Sequence, residues 1–357
     1  MFRIAAYILI VLAVGLFFYW RHFCKRACRY FGIEGKKRKL IVLLVPLIGA
    51  LLLLSAFSAA GILYLYFVLL CMLTELIALF FKSDRRKALF YTGLPALVLT
   101  LLVGVYAYVN MCTVRETDYT VTAEKQLSRP YTVVLVADMH YGNSLNAARV
   151  EKMCERIIAL EPDLLLLAGD IVDESTPKGG AEEVFSLLGG VKTTYGVYYV
   201  SGNHDSGSYR KGRGIDLETA LAGTGVVYLR DEVVPLGDEL LLVGRKDASS
   251  GGRLSAAALL SGTDTDRYCI MLDHQPREYA ESAAAGTDLK LSGHTHAGQI
   301  FPAGFLTTLF GSELNYGITR SGAMTAVVTS GASGWGFPLR TSRHSEFVSI
   351  TVLPVLN

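Results

Sequence analysis

Five short runs of this chain each close on residue types that bind cations. They are Asp138 and His140 in ADMH, Asp170 and Asp173 in GDIVD, Asn203, His204 and Asp205 in GNHD, His274 in LDHQP, and His294 and His296 in GHTH. Five of the seven histidines fall in this set, leaving only His22 and His344 outside it. Any one piece alone is noise, since an Asp at a strand end more often caps the next helix. Together the imidazoles, carboxylates and amide oxygen suit borderline divalent ions such as Mn, Fe or Zn better than Ca or Mg. About seven ligands exceed what one ion takes, so two ions sharing a carboxylate is the economical arrangement.

Elements to position these groups are legible around them. From about residue 113, short β-like runs alternate with amphipathic stretches, the pattern of layered α/β structure. YTVVLVAD (131–138), DLLLLAGD (163–170), GVYYVSGNHD (196–205), YCIMLDH (268–274) and DLKLSGH (288–294) read as buried central strands, and each ends on a cation-binding residue. In open sheets, ligands gather beyond such strand ends. Residues 146–160, with Asn146 as N-cap, and 181–188 predict helices on the sheet. DYTVTAE suits an edge strand, 226–244 reads as paired strands around PLGDE, and 324–330 and 347–353 read as closing strands.

The chain of 357 residues is 51% hydrophobic, but the apolar residues are concentrated near its start. Taking about 20 apolar residues per crossing, the first 112 residues predict an all-α transmembrane domain of four helices, with spans near 4–20, 40–57, 61–81 and 88–109. SAFSAAG at 55–61 reads as the turn within the long middle run. Residues 21–39 carry eight Lys/Arg and KSDRRK at 82–87 four more, so both loops belong in the cytoplasm and the part after residue 110 on the outer side. Residues 1–112 hold 13 Lys/Arg against 3 Asp/Glu, whereas 113–357 hold 21 against 29. That acidic second part argues against a nucleic-acid partner and leaves the bilayer as the expected one. Glu75, near the cytoplasmic end of the third span, reads as snorkelling toward KSDRRK. The six cysteines lack zinc-finger spacing, and Cys154 and Cys269 read as buried thiols.

The five motifs, in this order, resemble those of the calcineurin-like metallophosphoesterase superfamily. GHTHAGQIFP and SGASGWGFPLR (330–340) are similar to its membrane-anchored bacterial phosphodiesterase branch, although that branch usually has a second Gly where Ala297 stands and a Pro-Glu pair where this chain has Ser345 and Glu346. The resemblance implies an α/β fold, a four-layer α-β-β-α sandwich over 113–357 behind the transmembrane domain 1–112. It implies that Asp138, His140 and His296 bind a first metal, that Asn203, His274 and His294 bind a second, and that Asp170 bridges them. It further implies that a metal-activated water attacks phosphorus while His204 protonates the departing alkoxide, with Asp173 orienting its ring. Asp205 reads either as support for a ligand or as a helix cap. Arg210, Lys211 and Arg213 read as a phosphate grip or a solvated turn, and Trp335 and Phe337 as a substrate wall or core.

The function so implied is hydrolysis of phosphoesters, phosphodiesters ahead of monoesters, by a multi-pass protein of the cell membrane whose catalytic domain faces outward. A lipid-linked or cell-envelope phosphoester is the attractive substrate. The alternatives are a pyrophosphate hydrolase acting on a nucleotide-linked acylated sugar and, in another class, a catalytically silent sensor that only binds ligand. The intact motifs argue against the sensor. A transporter with an appended enzyme would show several intramembrane polar residues or a repeat, and neither is present.

Overall fold

The computed structural model describes residues 2–52, 58–205, 215–264 and 266–355, which form two compact units, Met1–Ala107 and Tyr108–Asn357. The division falls inside a helix, slightly before the expected boundary at residue 112. The turn read at 55–61 and the cations at 208–214 lie partly or wholly outside the described residues.

The first unit is helical: α1 (Phe2–Tyr30), α2 (Gly35–Leu52), α3 (Ala59–Ala78), α4 (Asp84–Phe90) and α5 (Leu94–Cys112), the last running into the second unit. Ser58 starts α3 by accepting a hydrogen bond from the Gly61 N–H. Trp20 and Phe23 of α1, Val68 and Cys71 of α3 and Ala96 of α5 share one core. Among the described residues, α3 and α5 are the helices both long and apolar enough to cross a membrane. The stretches expected as the other two spans lie in α1 and α2. However, α1 continues through Arg21, Lys25, Arg26 and Arg29, and α2 opens on GKKRK and contains Pro46. Glu75 does not reach for the KSDRRK loop as expected. It pairs with Arg26 of α1 and accepts from the Tyr19 hydroxyl at 3.2 Å. A bonded cation on a neighbouring helix satisfies the carboxylate where it stands.

The second unit contains β1 (Val114–Thr122), β2 (Tyr131–Val136), α6 (Ala147–Ile158), β3 (Leu164–Ala168), α7 (Gly180–Gly189), β4 (Val197–Val200), α8 (Leu217–Leu221), β5 (Val226–Tyr228), β6 (Glu232–Leu236) and β7 (Leu240–Gly244). It continues with α9 (Ala256–Leu260), β8 (Tyr268–Leu272), α10 (Tyr279–Ala284), β9 (Leu289–Ser292), α11 (Gly304–Leu309), β10 (Gly317–Ser321), β11 (Met324–Val328) and β12 (Ser345–Leu353). The described strands make two mixed sheets, ordered β1-β12-β2-β3-β4-β5 and β10-β11-β9-β8-β7-β6. The stretch 226–244 is split between them. The PLGDE turn joins only β6 to β7, while β5 pairs in parallel with β4 in the other sheet.

Strand alternation explains the layering, because successive side chains point to opposite faces. Val133, Leu135, Leu164 and Leu166 share a core with Leu242, Ile270 and Leu291 from the other sheet. The intervening Val134, Val136, Leu165 and Leu167 pack with Val150 and Ile157 of α6 and Phe185 and Leu188 of α7. Leu241, Val243 and Met271 pack on Leu259 and Leu260 of α9. Helix, sheet, sheet and helix therefore stack in that order, and both faces of each central strand are apolar because both are covered. Asn146 caps α6 as expected, accepting from the Arg149 N–H.

Glu346 of β12 is fully buried, which an unpaired carboxylate would not tolerate. It accepts from the Thr117 hydroxyl of neighbouring β1, from Tyr316 at 3.1 Å, from Thr329 at 3.0 Å and from the Ser330 N–H at 2.9 Å. Replacing it by Leu strands these donors in the interior. Glu346→Leu is expected to cost about 3 kcal/mol of stability, read as a lowered denaturation midpoint of the detergent-solubilised protein.

Candidate metal centre

The five strand tips meet. Donor atoms of Asp138, His140 and His296 lie within 4.8 Å of one another, as do those of Asp170, His274 and His294. Asp170 Oδ2 sits 3.9 Å from His140 Nε2 and 3.2 Å from His274 Nε2, so one carboxylate oxygen lies between the two groups. Asn203 joins the second, its Oδ1 3.2 Å from His274 Nε2. In the first, His296 Nε2 lies 3.3 Å from His140 Nε2 and 3.6 Å from Asp138 Oδ1. All seven residues expected to be ligands are brought together.

Local backbone makes this convergence possible and strains it. Asp138, His140, Asp170, His294 and His296 all have positive φ, between 42° and 74°. Non-glycine residues enter that region at a cost of about 1–2 kcal/mol each, so the surrounding packing must hold them there. Hydrogen bonds between tips supply much of the hold. The His294 N–H donates to both oxygens of Asp138, at 3.1 and 2.9 Å, and the His204 N–H to Asp170 Oδ1 at 2.8 Å. Two glycines permit the close approach: a Cβ at Gly202 would stand 2.2 Å from Asp170 Oδ1, and one at Gly293 2.4 Å from Asp138 Oδ2. Ala297, between His296 and Gly298, also has positive φ, at 50°.

The imidazoles are aimed by what holds their outer nitrogens. His140 Nδ1 lies 3.0 Å from Asp173 Oδ2, and His274 Nδ1 lies 2.7 Å from the Ala168 carbonyl oxygen. Both partners only accept, so each Nδ1 carries its proton and each Nε2 points inward. The carboxylates facing them dominate the local field. Burial alone would discharge His140 and His274, yet Asp173 and Asp170 hold both above the usual imidazole range. Burial, with Asp170's charge beside it, pushes Asp138 up to about 6. Burial and the neighbouring His274 charge take His294 down to about 4, and burial with His140 and Arg340 takes His296 well below its ordinary value. His296 Nδ1 is also buried without a hydrogen-bond partner. Inward nitrogens, carboxylate oxygens and an amide oxygen form a donor set that fits cations.

One expectation needs correcting and one open alternative is decided. Asp173 does not orient His204: its Oδ2 faces His140, and its Oδ1 accepts from the Ser175 N–H and hydroxyl, both at 2.6 Å. His204 Nδ1 instead faces Glu174 Oε2 at 3.2 Å, because the turn after GDIVD presents successive carboxylates to different histidines. Asp205 supports a ligand, as one of its two readings had it. Its Oδ2 accepts from the Asp170 and Gly202 N–H groups at 2.6 and 2.7 Å, and its Oδ1 from Val172 at 3.0 Å, tying two tips together. Burial and Asp170's charge raise its own pKa to about 6. Trp335 stands at the site, its ring centroid 5.1 Å from that of His204, whereas Phe337 is buried. Sequence reasoning missed Glu174 and the buried Arg340, which donates to the His296 carbonyl oxygen at 3.1 Å. Glu174 follows a motif directly and Arg340 closes one, but neither position announces its partner.

A layered α/β domain with two cation-ligand groups sharing a strand-tip carboxylate defines a metallophosphoesterase type of protein. The family profile for calcineurin-like phosphoesterase matches residues 131–298. An uncharacterised metallophosphoesterase of Aquifex aeolicus is 30% identical over 263 residues, covering 71% of this chain and 97% of that protein. The chain belongs to this family. One from Helicobacter pylori is 34% identical over 235 residues, covering 64% of this chain, and the match spans 61% of the Helicobacter protein's length. A Danio rerio protein described as a transmembrane protein with metallophosphoesterase domain is 26% identical over 387 residues, covering 96% of this chain and 87% of that one.

Protons and cations compete for this centre, since ligands must be deprotonated to bind metal. Because His140 and His274 hold protons above the usual range, Mn²⁺ or Zn²⁺ binding at pH 7 should release protons, and affinity should fall as pH drops from about 8 to about 6. Calorimetry in buffers of different ionisation enthalpy reads both effects, and pH-independent binding would contradict the assignment. Gly293→Ala should push Asp138 aside and lower bound metal by about tenfold or more, checked by elemental analysis.

Proposed function

We propose that this protein is a membrane-anchored, dinuclear metal-dependent phosphoesterase with a preference for phosphodiesters. The observation that carries the reading is Asp170, whose carboxylate oxygen lies between two otherwise separate ligand groups. Asp138, His140 and His296 would hold one ion and Asn203, His274 and His294 the other, with Asp170 shared. Two ions of the Mn, Fe or Zn class supply Lewis acidity and an activated water for attack on phosphorus.

The chain's own groups do the rest. Asp173 and the Ala168 carbonyl fix the ring orientation of His140 and His274. Arg340 and Asp205 steady the backbone on either side of the centre. His204 gives a proton to the leaving oxygen. One residue beyond Glu174, a cleft of about 710 Å³ opens between Ser175–Lys178 and Ile215–Thr219. Its place beside Glu174 offers room for the organic part of a phosphoester. The apolar α3 and α5, with the transmembrane relative, support anchoring. Our reading extends to four crossings with the catalytic unit outside the cytoplasm, and to a lipid-linked or cell-envelope phosphoester as substrate.

Metal-reconstituted full-length protein should hydrolyse bis-p-nitrophenyl phosphate faster than p-nitrophenyl phosphate. Asp170→Asn should lose about 100-fold or more with either ester, whereas His204→Ala, with retained metal, should lose about 100-fold on diphenyl phosphate and far less on these activated esters. Inactivity with every divalent ion would leave a ligand-binding module instead. For topology, an Asp264→Cys variant in intact cells should react with an impermeant maleimide, and protection would place the unit in the cytoplasm.

A further inference from the structure

We propose that Glu174 and Trp335 together are the positioning residues for His204, a role that rests on the phosphoesterase reading above. The geometry is a closed relay. The Trp335 indole Nε1–H donates to Glu174 Oε1 at 2.7 Å, Glu174 Oε2 faces His204 Nδ1 at 3.2 Å, and the His204 and Trp335 rings lie 5.1 Å apart at 40°. Each member therefore touches the other two. Trp335 is itself fixed by its backbone, whose N–H donates to Gln299 Oε1 at 3.1 Å, while the Gln299 amide donates to the Trp335, Phe337 and Leu339 carbonyl oxygens. The carboxylate consequently has one oxygen for the indole and one for the imidazole, and cannot turn without losing both.

A ring held at Nδ1 keeps Nε2 on its opposite side, and the His140 ring lies 5.2 Å from His204. Nε2 is then the proton donor. As a water oxygen bonds to phosphorus, the bond to the leaving oxygen breaks. That oxygen keeps the electron pair and takes the proton from His204 Nε2. The ring recovers a proton from solvent, and the surplus proton of the attacking water passes to solvent. Asp173, the partner the motif offered, is committed to His140, so the two neighbouring carboxylates divide two histidines between them.

Leaving-group dependence tests this in the full-length, metal-reconstituted protein. Glu174→Gln should slow diphenyl phosphate, whose phenolate leaves poorly, by about tenfold or more, and bis-p-nitrophenyl phosphate by less than about threefold. Glu174→Asp should restore part of the loss. Trp335→Phe, which keeps a ring but removes the N–H, should show the same selectivity to a smaller extent. In a His204→Ala background, Glu174→Gln should add nothing. A second readout needs no metal or turnover: with Trp20→Phe leaving Trp335 as the sole indole, Glu174→Gln should alter its emission. Equal losses on both esters, additivity with His204→Ala, or unchanged emission would overturn the proposal. Failure of unmodified protein to hydrolyse either ester would instead count against the phosphoesterase reading.

Discussion

Three buried carboxylates face imidazoles, Asp138 at 3.6 Å from His296, Asp170 at 3.2 Å from His274 and Asp173 at 3.0 Å from His140, and this crowding of acceptors is the constraint on which the rest depends. Charge in a dry interior must be compensated, and here Asp170 and Asp173 face His140 and His274, whose pKa values they raise above the usual imidazole range. The surrounding architecture is what permits such a cluster. Two apolar sheets, each covered on its outer face by helices, supply enough buried surface to carry a costly polar centre at one edge of the sandwich. The same strands that make the core deliver the ligands, so packing and chemistry share one set of tips.

Precision comes from the loops contacting one another rather than from the strands alone. Five of the seven proposed ligand residues occupy left-handed backbone, a conformation that would relax if each loop stood free. Asp138 receives the His294 N–H, and Asp170 receives that of His204, so ligands double as acceptors for neighbouring loops. A metal ligand whose second oxygen is already engaged has little rotational freedom to lose on binding. Gly202 and Gly293 matter for the same reason: they stand where the carboxylates pass, and a methyl group would occupy the space the carboxylates need.

Much of this was legible in the amino-acid sequence because strand-terminal chemistry is local. An apolar run followed by Asp, Asn or His identifies both the strand and its cargo, and all five central strands are where the runs predicted them. What was not legible depends on contacts across the chain. Whether Asp173 or Glu174 serves His204 is decided by the direction of a turn, and both carry the same charge beside the same motif. Trp335 is separated from His204 by more than a hundred residues, and its N–H could have been satisfied in many ways. Val226–Tyr228 resembles the hairpin that follows it, and only sheet register assigns it elsewhere. Glu75 pairs with a cation on another helix that no local pattern names.

Asp205 carries a different consequence. By gripping Asp170 and Val172 on one tip and Gly202 on the next, it makes the shared ligand and the Asn203 loop a single mechanical piece, built from protein alone. Loosening Asp205 alone would therefore free both loops at once.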